Sequence, residues 1–322
     1  GLGDVYKRQV EESQRTRSFL FAAAASSVAV AAGQNEIHIF ENGVTSINLP
    51  RRQDLINARA SRTTHPKTLG LLEALLGHLT ETDFRICNQF LDKTKTDVVR
   101  DLADGPQRDL IPSSVSCSQT IQHPGSATHC GICFQCIDRR LAGFAASATD
   151  SDHAGLYHSD FVKETLPTGP AKTTLVDYLR QAEGLAQCST EWFASKFLGE
   201  LADVVDFLPG QSSELAAVEF VWGLMRRHGG EVHDALQAVR TSENLWQPVQ
   251  RDSLLDIISA REYLKDEIDR LVGRIEGILS ASIPRMLAKE RPRDEPDLNT
   301  KMAGVLASHE DTLRSEHPTV SF

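Results

Sequence analysis

Apolar positions along the first hundred residues alternate between two spacings. An Ala-rich run over 14–32 carries the density of a helix, and Glu36-Ile-His-Ile-Phe40 alternates like a half-buried strand. Glu41-Asn-Gly43 reads as a turn, and a polar loop follows that contains Arg59-Ala-Ser-Arg-Thr-Thr-His-Pro66. Pro66 starts a helix predicted over 67–79, residues 83–88 form a second strand, and 96–103 a second strongly patterned helix. Helices alternating with strands imply a parallel sheet, of which two strands are visible. Beyond about 150 the pattern turns wholly helical, with segments over 171–187, 189–207, 213–228 and 230–240 and with Ser189, Ser212 and Ser213 as caps. A longer helix over about 252–281 sets Leu264, Ile268, Leu271, Ile275 and Ile278 at steps of four and three. That spacing fits a helix-pairing seam and an ordinary amphipathic helix equally well. Residues 291–298, RPRDEPDL, read as a linker, and no internal repeat is evident.

Composition narrows the partners. The 322 residues, 40% hydrophobic, can bury a substantial core. A net charge of −10 argues against a nucleic-acid backbone as the main partner, because polyanion binding needs a positive field. No apolar stretch of about 20 residues crosses a bilayer. The segment from Arg15 to Gly33 imitates an export signal, but a buried Ala-rich helix closed by Gly33 suits it better, and the expected location is cytoplasmic. Residues 1–9 read as translated sequencing adaptor, the last residues stop without a terminal signal, and both ends look cut. The expected organisation is therefore an α/β domain over 10–150, a helical extension over 151–250, the long helix over 251–290, and over 291–322 a linker with either the start of a further domain or a simple helical tail.

Four of the six cysteines carry the chemistry: Cys117, Cys130, Cys133 and Cys136, in SCSQTIQHPGSATHCGICFQCIDRRLAGF. Three thiols within seven residues can turn inward on one knuckle, and a fourth from a preceding loop completes a tetrahedral set for zinc. Disulfides inside so short a loop would strain it, and the long first arm is unlike the usual ferredoxin runs, so zinc is favoured over both. His123 and His129 could replace a cysteine, but solvated loop histidines are the simpler reading. Cys87 and Cys188 stand alone as buried small hydrophobes.

The arrangement Cys117…Cys130-x2-Cys133-x2-Cys136-x2-Arg139-x2-Ala142-x-Phe144 resembles the zinc loop and following helix of 7-cyano-7-deazaguanine synthases, the QueC (ExsB) family. Thr94-Lys95-Thr96-Asp97-Val98-Val99 is similar to that family's Lys-containing helix start, and the resemblance covers about 15–145. The stretches from Phe40 to Pro50 and from Ser61 to Pro66 are more similar to the QueC-like proteins of bacterial antiphage islands, including the Qat type, which also carry helical extensions. The resemblance implies a partial adenine nucleotide α-hydrolase-like (Rossmann-like) sheet. It implies use of ATP with Mg to adenylate the carboxylate of 7-carboxy-7-deazaguanine, attack by ammonia, and dehydration of the amide to the nitrile. Zinc is structural in that family, and four thiolates leave no coordination position for water.

Arg17, Arg62 and Lys95 are the cations in matching stretches and the candidates for neutralising phosphate charge; a solvated or structural role competes for each. Glu41 and Asn42 follow the first strand, at the edge where open α/β sheets place ligands, against a plain turn role for Asn42-Gly43. Thr63, Thr64 and His65 could hydrogen-bond a purine-like base, or Thr64 or His65 could cap the helix after Pro66. Arg139 could meet phosphate or a carboxylate.

The family's phosphate loop, Ser-Gly-Gly-x-Asp-Ser, occurs nowhere in this chain. The chain as given is expected to be catalytically inactive and to expose apolar surface where the missing strands belong. The competing expectation is a non-enzymatic zinc-stabilised module that recruits other subunits of a defence complex. Relatives could instead pass the activated deazaguanine to a protein amine, and a homo-oligomer is compatible with either.

Overall fold

The computed structural model describes residues 17–50, 63–118, 127–167, 169–242, 248–260 and 271–275. Residues 1–260 form one unit and 261–322 a second. The first unit is mixed α/β and mostly helical. Its elements run α1 (Arg17–Ala31), β1 (Glu36–Ile39), α2 (Gly43–Ile47), α3 (Pro66–Thr80), β2 (Arg85–Asn88), α4 (Lys95–Asp104), α5 (Leu110–Ser113), α6 (Phe134–Ala145), α7 (Pro170–Gln187), α8 (Thr190–Lys196), α9 (Leu198–Ala202) and α10 (Glu214–Ser242). Residues 254–260 are helical as well. In the second unit only 271–275 is described, a helical turn with Leu271 and Ile275 exposed; Leu264, Ile268 and Ile278 lie outside the described residues.

β1 and β2 pair in parallel, with Glu36 opposite Arg85 and Ile39 opposite Asn88. Ile37 and Ile39 join Phe84, Ile86, Leu69, Leu72 and Leu76 in a small core between the sheet and α3. The expectation of a parallel sheet holds for these two strands. α1 forms as expected, but it is not the buried helix the Ala-rich run implied. Ala22 and Ser26 are buried, whereas Phe19, Leu20, Phe21 and Val28 are exposed. The reason lies in spacing: one narrow stripe of small residues faces β1 and α3, and the large apolar side chains fall outside it.

Asn42 is more than a turn residue. Its side chain accepts from Thr45 N at 3.0 Å and caps the short helix α2. α3 begins at Pro66, with the His65 ring accepting from Lys67 N. α4 opens with a reciprocal cap in which Thr94 and Asp97 each accept from the other's backbone N–H.

The segment 189–207 is not one helix. Ser189 caps α8 through Trp192 N, the chain bends at Phe197, and α9 and a short turn at Val205–Phe207 follow. Bending brings Phe193, Phe197, Leu201, Val204 and Leu208 into a single core with Ile47, Leu91, Val221 and Met225. Conversely, the predicted helices 213–228 and 230–240 are one helix, α10, whose start is capped by Ser213 through Ala216 N. The Gly229-Gly230 pair does not break it. A Cβ on Gly229 would stand 2.5 Å from Ala182 O and 2.6 Å from Ala186 N, so glycine there lets α10 and α7 touch backbone to backbone. The C-terminal half of α10 adds Val232, Ala235 and Val239 to a second core with Ile137, Leu141, Leu175, Leu179 and Phe161.

Candidate functional site

Cys117 follows α5, Cys130 lies in the knuckle before α6, Cys133 is the cap residue just before α6, and Cys136 sits in its first turn. All four are free thiols, and their sulfurs lie within 4.8 Å of one another. The separations are 3.9 Å for Cys117–Cys133, 3.8 Å for Cys130–Cys136 and 3.3 Å for Cys133–Cys136. A tetrahedron with zinc–sulfur arms of about 2.3 Å has edges of about 3.8 Å, and sulfurs 3.3 Å to at most 4.8 Å apart are compatible with such a site. Backbone N–H groups of Cys130 and Cys133 donate to the sulfurs of Cys117 and Cys130. Hydrogen bonds with Cys130 and then Cys136 hold Cys133 well below the ordinary thiol range, and the same sulfur–sulfur bonds push Cys130 up to about 11 and Cys136 above the ordinary range. The donors suit a soft or borderline divalent cation, zinc included.

The knuckle is fixed from both sides. Gly131 has φ +81°, and a Cβ there would meet Ser159 O at 1.8 Å, so the turn needs glycine twice over. His129 and Cys130 accept through their carbonyls from His158 N and Ser159 N. His129 is neither a solvated loop histidine nor a metal ligand. It is fully buried, and its Nε2 accepts from Ser116 N at 3.2 Å. That bond leaves the proton on Nδ1, which donates to Thr128 Oγ1 at 2.7 Å. Burial and the nearby Arg139 push His129 down to about 4, so the ring is neutral and ties the Cys117 arm to the Cys130 arm. His123 lies outside the described residues.

Arg139 meets a carboxylate and not an open phosphate position. Its Nε donates to Asp152 at 2.7 Å, Nη1 to the carbonyl and hydroxyl of Ser114, and Nη2 to Ile111 O at 2.5 Å. With the side chain 5% exposed, it clamps the segment leading to Cys117 onto α6. Asp152 also accepts from Tyr157 Oη at 2.8 Å and faces Arg140. Cys87 and Cys188 are half-buried rather than buried, Cys87 because it points to the face of β2 opposite Ile86.

Beside the cysteines lies a polar cluster at the C-terminal end of the sheet. Glu41 follows β1, and Asn42 donates to Glu41 Oε1 from both its backbone and side-chain nitrogens. Burial raises Glu41, partly offset by the Lys95 charge. Lys95 Nζ faces Asp138 Oδ2 at 3.4 Å and donates to Gln135 Oε1 at 3.2 Å. Tyr178 Oη, from α7, donates to Asp138 Oδ1 at 2.9 Å. Asn88, at the end of β2, donates to Glu41 O and to Ser46, and Ser46 donates to Thr64. The structure thus brings Glu41, Asn42 and Lys95 together. Thr63 is half-buried in the turn before α3, and His65 is buried as a helix cap rather than open to a base. Arg17 is the first residue of α1, its side chain undescribed, and Arg62 lies outside the described residues.

No protein-family model, curated protein or solved structure matches this chain. Its site therefore stands on its own geometry. Asp138, Asp152, Tyr178 and Glu231 are the residues that sequence reasoning missed. Glu231, from α10, is buried beside Thr94 and Thr96 with its Oε2 unpartnered among the described residues, and burial raises it. In an acidic chain nothing local separates such buried acids from solvated ones; the Asp138-Arg139-Arg140 triplet after the last cysteine was the one available signal. No helix among the described residues is long and apolar enough to cross a membrane.

Proposed function

We propose that this chain is the zinc-bearing part of a QueC-like, ATP-dependent ligase acting on 7-carboxy-7-deazaguanine, of the kind found in antiphage systems. The four-thiol cluster running directly into Arg139, Ala142 and Phe144 carries the reading. These sulfurs lie within 4.8 Å of one another, and those three residues are buried along α6. Bound zinc would hold the Cys117 arm against α6 and, with four thiolates, would leave no position for a reactive water. The free thiols also suit a reducing compartment such as the cytoplasm.

In this reading the two parallel strands belong to a Rossmann-like sheet, and the ligand lies off their C-terminal ends, where Glu41, Asn42 and Lys95 gather. Glu41, held by Asn42, is suited to accept from the donor edge of a guanine-like base. Lys95 stands where it can face the substrate's carboxylate once adenylated. Its charge is already shared with Asp138, so it orients more than it neutralises. The phosphate cradle is not in this sequence.

Calorimetric titration of the zinc-loaded chain with 7-carboxy-7-deazaguanine tests the reading. Binding that weakens in Glu41→Gln supports it, and an absence of binding overturns it in favour of a non-catalytic zinc-stabilised interaction module. One observation favours that second reading: Phe19, Leu20 and Phe21 of α1 and Leu71 and Leu79 of α3 are large apolar side chains left exposed.

A further inference from the structure

We infer that Asp138 and Tyr178 are positioning residues for Lys95, so that the helices after residue 150 complete the polar site rather than append to it. The inference rests on the reading above, in which Lys95 faces substrate. Asp138 is 4% exposed and Tyr178 2%. A carboxylate so deeply buried is destabilising unless each oxygen is matched. Here Oδ1 takes the Tyr178 hydroxyl at 2.9 Å and Oδ2 faces the Lys95 ammonium at 3.4 Å. The Tyr178 ring packs on Phe134, centroids 5.2 Å apart, and edge-on to His228 at 5.9 Å. A phenylalanine would keep both ring contacts and lose the hydrogen bond to Asp138.

The direction of the chain of contacts matters as much as its existence. α7 holds α6 through Tyr178–Asp138, and α6 holds the start of α4 through Asp138 and Gln135 on Lys95. Lys95 is thereby pinned on the α6 side of the cluster with Glu41 within its electrostatic reach. An ammonium on a four-carbon stem has many rotamers, and two fixed partners remove most of that freedom. A ligand arriving at the sheet end would meet a preset cation, with none of the ordering cost of a free lysine.

The test measures Lys95 directly in the zinc-loaded full chain. Competitive acylation with acetic anhydride, quantified by peptide mass spectrometry, is referred to the exposed Lys196 of the same sample. Tyr178→Phe is expected to raise the relative labelling of Lys95 about threefold, the effect of removing one hydrogen bond from the charged pair, and Asp138→Asn about tenfold. Phe134→Leu, which disturbs the same packing but keeps the hydroxyl, is expected to leave Lys95 unchanged. Labelling that stays constant in both Tyr178→Phe and Asp138→Asn, or that rises equally in Phe134→Leu, overturns the inference. Should Tyr178→Phe fail to fold, Asp138→Asn against Phe134→Leu decides alone. Loss of deazaguanine binding with the labelling pattern intact would remove the proposed substrate and leave the positioning standing.

Discussion

At the scale of single residues, Glu231 is the group most at odds with its surroundings. It projects from α10 against the N-terminal turn of α4, where Thr94 and Thr96 lie beside it and Asp97 repels it. Burial lifts it above its ordinary 4.5, so the folded chain holds this proton more tightly than the unfolded chain does. The stability it contributes is complete below pH 4.5 and drains away as pH rises through its elevated folded value. Glu231→Gln removes that loss and is expected to stabilise the protein by about 1 kcal/mol at pH 7, with no gain at pH 4. Urea denaturation at the two pH values measures the difference. The cysteine cluster was legible because three of its members lie within seven residues of sequence. Arg139 was legible as a residue that matters but not in its role, since Asp152, Ser114 and Ile111 reach it from 13 to 28 positions away. Lys95 and Glu41 were named from the sequence; the Asp138 and Tyr178 that hold Lys95 were not, because their link spans 40 residues between two helices.

At the scale of elements, periodicity fixed type better than extent. β1, β2, α3, α4 and α7 fall close to their predicted limits because caps, Pro66 and the alternation of strand residues are local signals. The continuity of α10 was hidden behind two adjacent glycines, the first of which has its reason in another helix. Their substitutions should separate cleanly. Gly229→Ala pushes a methyl into the α7 backbone at Ala182 and Ala186 and is expected to cost about 2 kcal/mol even after its gain in helix propensity. Gly230→Ala has nothing within 4 Å of the new carbon and is expected to stabilise by up to about 1 kcal/mol. Thermal unfolding of the two variants should move in opposite directions. The bend at Phe197 was hidden for a related reason. The apolar spacing from Phe193 to Leu208 is compatible with a straight helix, and only the core it enters requires the turn.

At the scale of the whole molecule, the four-cysteine cluster is the joint between the loop after α5, the knuckle and α6. Removal of a metal bound there should therefore be felt beyond the cysteines. Elemental analysis is expected to find one zinc per chain, lost in Cys136→Ser, and chelation is expected to release the Arg139 and His129 ties along with the metal. Increased proteolysis between Ile111 and Phe134 after chelation would report that release; unchanged cleavage would mean that the loop is held without metal. α10 runs about 44 Å at helical rise and enters both large cores, with Val221 and Met225 in one and Val232 and Val239 in the other. Neither core can come apart while this helix stays seated in the other. Amide hydrogens between Leu224 and Val232 should consequently exchange with solvent only when the entire first unit opens, making the stretch with the paired glycines the slowest-exchanging part of the chain.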